Sequence, residues 1–129
     1  MKKTQILLAT LASVALVGIV TAQMGGTRPS WLQIGDLAVK RTNTATVSAR
    51  LTSTNGQALA GYRVEFYAQY PSYSQQIGVA YTNNSGVASI SFRPANYNIN
   101  AGSYRWAAQF SGNGAWGASI PSAKLTVTN

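Results

Sequence analysis

Cysteine and histidine are both absent, and only two residues are acidic, Asp36 and Glu65. Without cysteine no disulfide braces the chain. Without either residue most nucleophile–base pairs and most transition-metal sites are excluded. A hydrolase working through paired carboxylates needs two acids within ~5–10 Å. Nothing brings these two together: Asp36 comes after Gly35 in an expected bend, and Glu65 falls on the outer face of an expected strand. Both read as solvated surface acids. A calcium site draws on several carboxylates, and Gly112-Asn113-Gly114 lacks the helix and lysine of a phosphate-binding loop. The expectation is no catalytic site, no cofactor and no metal.

Charge is scarce as well. Charged residues make up 9% of the chain, against about a quarter in a typical soluble domain. Ser, Thr, Asn, Gln and Tyr supply the polar surface instead, a composition common in extracellular and fibre proteins. It limits repulsion between identical subunits packed closely. What charge there is is basic, +8 overall. The basic residues stand singly apart from Lys40-Arg41, with no basic run, so nucleic-acid binding is not expected. Attraction to an acidic surface layer or to anionic lipid is the milder reading.

The one long apolar stretch lies at the N-terminus. Residues Ile6 to Ala22 carry no charge and come after Lys2-Lys3. As a helix they would span roughly 25 Å at ~1.5 Å per residue, at the short limit for a bilayer, and the basic start fits export of the remainder of the chain. Three readings stay open: a cleaved secretory signal ending at Val20-Thr21-Ala22, an uncleaved anchor, and a filament-core helix kept on the mature subunit. Lys3-Thr4-Gln5-Ile6 resembles the archaeal class III signal site of pilins, with Thr4 where that family usually has Gly or Ala and cleavage implied between Thr4 and Gln5. On the filament reading the assembly helix presents Ile6, Leu7, Leu8, Leu11, Val14, Leu16, Val17, Ile19 and Val20 to other copies. Residues 1–24 are thus the hydrophobic segment, and 25–30, with Gly25, Gly26 and Pro29, a hinge.

From Trp31 to Asn129 the apolar period becomes two. Strands are expected at Trp31–Lys40 (interrupted at Gly35-Asp36), Thr44–Thr54, Tyr62–Tyr70, Gln76–Thr82, Val87–Arg93, Tyr104–Phe110 and Ser122–Thr128. Asn55-Gly56 and Asn83-Asn84-Ser85-Gly86 supply turn chemistry. Inward faces carry Val47, Ala49 and Leu51; Val64, Phe66 and Ala68; Ile77, Val79 and Tyr81; and Tyr104, Trp106, Ala108 and Phe110. The expected fold class is mainly β: a seven-stranded antiparallel Ig-like sandwich behind one long hydrophobic N-terminal α-helix.

The runs NGQALAGYRVEFYAQ, IGVAYTNNSGVASISF and AGSYRWAAQFSGNGAWGASIPSAKLTV resemble the Ig-like repeats of bacterial and archaeal surface proteins, over about Lys40 to Asn129. The resemblance implies adhesion, surface display or fibre building, and carries no catalytic motif.

Two surface features remain. Asn83-Asn84-Ser85 is the single N-glycosylation sequon, which makes Asn83 a candidate glycan acceptor. Trp31, Tyr70, Tyr73, Tyr97 and Trp116 fall in loops or at strand ends, as a subunit contact or a glycan-binding platform. Subunit packing is favoured, because the polar neighbours of a sugar site cannot be located from sequence. The expected function is a structural subunit of an extracellular, pilin-like filament. It would be exported through the membrane, partnered by copies of itself, and display the Ig-like domain for adhesion to cell-surface glycans or an S-layer. The alternative is a secreted or membrane-anchored Ig-like binding module or accessory subunit of a membrane complex. A further route to filaments is donation of Gly25 to Val39 into a neighbour's sheet.

Overall fold

The computed structural model describes residues 28–129. The described residues form eight strands in order: β1 (Ser30–Gln33), β2 (Leu37–Lys40), β3 (Ala45–Ser53), β4 (Arg63–Gln69), β5 (Ser74–Tyr81), β6 (Val87–Phe92), β7 (Gly102–Gln109) and β8 (Ser122–Thr128). One 3-10 turn, Pro94–Tyr97, joins β6 to β7. The strands form two sheets, β1-β3-β6 and β2-β8-β7-β4-β5. Their inner faces carry the alternating apolar residues. Val64, Phe66, Ala68, Ala88, Ala108 and Leu125 are fully enclosed. Phe66 and Trp106 stack across β4 and β7 with ring centroids 6.3 Å apart.

Three features correct the expected fold class. First, among the described residues there is no α-helix, and no helix long and apolar enough to cross a membrane. Strands supply both layers because apolar side chains recur every second residue from Trp31 onward. The helix expected over Ile6 to Val20, with all its assembly residues, lies outside the described residues. Second, there are eight strands, since the interruption at Gly35-Asp36 is a change of sheet. β1 pairs with β3 (Trp31 opposite Thr52), whereas β2 pairs with β8 (Val39 opposite Val127). The crossing is pinned: the Trp106 indole N–H donates to the Gly35 carbonyl at 3.1 Å, and Asp36 Oδ1 accepts the Lys124 amide at 3.0 Å. Third, the sandwich is not wholly antiparallel, because β2 runs parallel to β8.

β5 departs from its expected phase. Its pairing with β4 is broken between Phe66 and Tyr67, where Gly78 and Gln76 are the successive partners and Ile77 is the extra residue. Such a bulge shifts a strand by one residue and turns its later side chains to the other face. Ile77 is buried, but Tyr81, paired with Arg63 on the outside, is 64% exposed. The bulge also explains Gly78. A Cβ there would lie 2.8 Å from Ile90 Cδ1 and 2.9 Å from its Cγ2.

The strand order marks the chain as an Ig-like β-sandwich. A first strand divided between the two sheets and a crossover from β3 to β4 belong to that architecture, as does the tyrosine corner. Tyr104, two residues before the core Trp106, donates its hydroxyl to the Asn100 carbonyl four residues upstream at 2.9 Å. Strand directions define two poles. Arg28 joins the sandwich at one of them, with the loops 54–62, 82–86 and 110–121. The loops 41–44, 70–73 and 93–101 form the opposite pole.

Candidate functional site

The pole opposite Arg28 carries a tyrosine cleft of about 430 Å³. Four segments build it: the β4–β5 turn gives Tyr70 and Tyr73; the start of β5 gives Ser74 and Gln75; the end of the 3-10 turn and the residues after it give Tyr97 to Asn100; and β7 gives Tyr104. Each placement has a local cause. Pro94 starts the 3-10 turn, and Asn98 ends it in the left-handed region at φ 59°, a conformation asparagine tolerates better than most residues. Arg41 and Arg93 hold this connection down, with Arg41 Nε donating to Ile99 O and Arg93 Nε to Thr42 O, both at 3.0 Å.

The rings support one another. Tyr70 lies against Tyr73 at 4.6 Å between centroids and meets Tyr104 edge-on at 5.7 Å. Tyr97 packs on the buried Phe92 at 5.6 Å. Three hydroxyls are fixed by internal acceptors: Tyr70 donates to Gln75 Oε1 at 2.8 Å, Tyr97 to the Ile77 carbonyl at 3.0 Å, and Tyr104 to the Asn100 carbonyl. Burial, then the neighbouring Tyr73 and Tyr104, push the Tyr70 hydroxyl above its ordinary pKa. It therefore stays neutral in the physiological range, and no Asp, Glu, Lys or Arg is among the lining residues. Tyr73 stands at the lip, 62% exposed.

The structure divides the loop aromatics. Tyr70, Tyr73 and Tyr97 come together, and Tyr104, which alternation assigns to the core face, joins them. Trp116 is buried at the Arg28 pole, with the Arg28 guanidinium 4.1 Å above its ring. The Gly117 amide also donates to the Arg28 carbonyl at 2.8 Å. Trp31 is 54% exposed on the outer face of the smaller sheet, at the same pole.

Asn83 is exposed in the β5–β6 turn. Its side-chain carbonyl accepts the Ser85 and Val87 amides at 2.9 and 3.0 Å, so its oxygen and not its nitrogen serves the turn. Glu65 pairs with Arg63 and accepts the Tyr67 hydroxyl at 2.6 Å. Burial first, then that bond, pushes the Tyr67 pKa up to about 12. Arg63 and Glu65 edge a smaller hollow near Tyr62 and Gly112. Asp36 and Glu65 are each taken up by structural bonds on different strands, and among the described residues no three acids form a metal-binding group. The arginines from Arg28 onward are likewise used locally: Arg50 Nε reaches Ser85 O and Arg105 Nε reaches Ser122 Oγ, alongside the bonds of Arg41 and Arg93. Of the segment considered for donation, the described strands are paired within their own chain, since β1 and β2 fill positions beside β3 and β8.

No family model matches the chain. An uncharacterized protein of Archaeoglobus fulgidus is 41% identical over 58 residues, which make up 45% of this chain and 8% of that protein. Among solved structures, murine CRIg matches 78% of this chain and 98% of its own at 10% identity and a TM-score of 0.47. The endo-β-1,4-mannanase of Thermotoga petrophila matches 84% of this chain and 21% of its own at 12% identity and the same TM-score. The Bacillus amyloliquefaciens CBM33 in complex with Cu(I) matches 74% of this chain and 56% of its own at 11% identity, again with a TM-score of 0.47.

Proposed function

We propose that this chain is an exported, non-catalytic Ig-like module of the cell surface, of the kind found in bacterial and archaeal surface proteins, and that it works by adhesion through its tyrosine pole. The observation that carries this reading is the cleft itself: the exposed ring of Tyr73 and its aromatic supports stand at the pole away from Arg28. The basic start and the apolar run Ile6 to Ala22 support export. The low charge of the surface supports close approach to a partner.

The test is retention of the full chain on cell envelopes prepared from the organism that makes it. Tyr73→Ala removes an exposed ring without opening the core, so the fold is expected to stand while retention falls at least tenfold. Equal retention of the variant and the parent refutes the reading.

A second reading, assembly of copies into a filament, has its own observation. Trp31 and Ile120, 54% and 45% exposed, are apolar side chains at the Arg28 pole, outside the tyrosine cleft. Packing them between copies would remove them from water. Loss of the assembled form on changing Trp31 to Ser would support this reading; assembly that is indifferent to the change would remove it.

A further inference from the structure

We infer that the tyrosine cleft is a binding site for a neutral carbohydrate chain. This deepens the adhesion reading and rests on it.

The ligand class is set by what the cleft offers. A sugar ring presents flat patches of C–H bonds edged by hydroxyls. It needs aromatic faces to cover the patches and planar amides to exchange hydrogen bonds with the edges. Both are here. Tyr73 offers an exposed ring whose neighbour Tyr70 braces it at 4.6 Å, with Tyr104 edge-on behind. The amides of Gln75, Asn98 and Asn100 stand around these rings. Gln75 accepts from Tyr70 through Oε1, which leaves its NH₂ group to donate. Asn98 and Asn100 are both exposed.

The cleft is also pre-shaped. The hydroxyls of Tyr70, Tyr97 and Tyr104 already donate to fixed internal acceptors. Their rings therefore lose little rotamer freedom when a ligand arrives, and a weak-binding ligand class gains most from that. Each of these hydroxyls keeps acceptor capacity for a sugar hydroxyl. The surroundings favour no ionic partner: no Asp, Glu, Lys or Arg lines the cleft, and Arg41 at its edge is taken up by the bond from its Nε to the Ile99 carbonyl. The ligand is thus rich in hydroxyls, with flat apolar faces and no charge.

The experiment is affinity electrophoresis of the full chain through gels containing a neutral polysaccharide, run separately with galactomannan, hydroxyethyl cellulose and dextran. It is paired with envelope retention before and after periodate, which cleaves the vicinal diols of sugars. The expected result is retardation by at least one neutral polysaccharide, reduced at least fivefold in Tyr73→Ala and in Asn100→Ala. Tyr81→Ala, which removes an equally exposed tyrosine outside the cleft, leaves it unchanged. Envelope retention is expected to be lost on periodate treatment. Retention that survives periodate, is lost on protease treatment of the envelopes and still requires Tyr73 overturns the carbohydrate inference while leaving the adhesion reading in place. Retention indifferent to Tyr73 overturns both. Retardation lost equally in Tyr81→Ala assigns the sugar contact to the surface at large and also overturns the inference.

Discussion

Gly78→Ala tests the bulge that sets the phase of β5. The Cβ it adds points inward and meets Ile90 Cδ1 at 2.8 Å, Cγ2 at 2.9 Å and Cβ at 3.2 Å. The two nearest atoms belong to a side chain and can give way, but the third sits next to the backbone of β6. Inserting a methyl group into such a packed site costs about 1–3 kcal/mol. Replacing glycine also restricts the unfolded chain, and where the native backbone suits alanine this returns about 0.4–1 kcal/mol. Gly78 has no positive φ, so the offset applies. The net expectation is a loss of about 1–2 kcal/mol. In a domain near 100 residues this lowers the melting temperature by roughly 5–15 °C, at ~4–8 °C per kcal/mol. Thermal and urea unfolding monitored by circular dichroism measure it. Ile90→Ala removes both atoms closer than 3.0 Å, so the double variant should be less destabilised than the two single losses added together, with a coupling of at least ~0.5 kcal/mol. A neutral or stabilising Gly78→Ala, or simple additivity with Ile90→Ala, would refute the inward placement of Gly78 and with it the shifted phase of β5.

Other expectations rest on single contacts. Tyr104→Phe removes the corner bond to the Asn100 carbonyl and should cost about 0.5–1.5 kcal/mol in urea unfolding, with the 93–101 connection exchanging its amide hydrogens faster. Thr82→Val removes a buried hydroxyl that donates to Leu59 O at 2.6 Å and accepts from Tyr62 N at 3.0 Å; a loss of about 1–3 kcal/mol is expected, and no loss would show that the 54–62 loop does not depend on it. Tyr67 has its pKa raised in the folded state, so its contribution to stability is complete below about pH 10 and is lost as pH rises toward about 12, where the unfolded chain ionises first. Stability measured from pH 9 to 12 should therefore fall less steeply in Tyr67→Phe than in the parent, and identical slopes would count against that assignment.

Much of the sandwich is legible because a half-buried strand writes its burial into alternate residues. Thr44–Thr54, Tyr104–Phe110 and Ser122–Thr128 carry that pattern, and Val47, Leu51, Trp106, Ala108, Leu125 and Val127 are all buried, although Thr52 and Ala107 on the opposite phase are buried too. β5 misleads because Ile77, Val79 and Tyr81 alternate in sequence, while Ile77 is itself the extra residue in the ladder and the other two follow it on the opposite face. No local signal announces a bulge that is set by the partner strand, although Gly78 in the middle of an apolar strand is a hint. The break at Gly35-Asp36 is visible; its meaning is not, since a change of sheet depends on Trp106 and Lys124, far away in the chain.

The cleft is half legible. Tyr70, Tyr73 and Tyr97 stand out as loop aromatics, but grouping them with Trp31 and Trp116 mixes the two poles. Loop composition carries no information about which end of a strand a loop joins. Alternation assigns Tyr104 to the core, and it serves both the core and the cleft because it lies at the mouth of β7. The amides that make the cleft polar, at Gln75, Asn98 and Asn100, come from two connections that only the sheet order brings together.

The central claim is that the Tyr73 pole does the touching. Hydroxyl-radical footprinting of the full chain, free and bound to envelopes, reads the exposed rings separately. Protection of Tyr73 on binding is expected, with Trp31 and Tyr81 as reactive as in the free chain. Protection of Trp31 and Ile120 with Tyr73 left open would contradict the account.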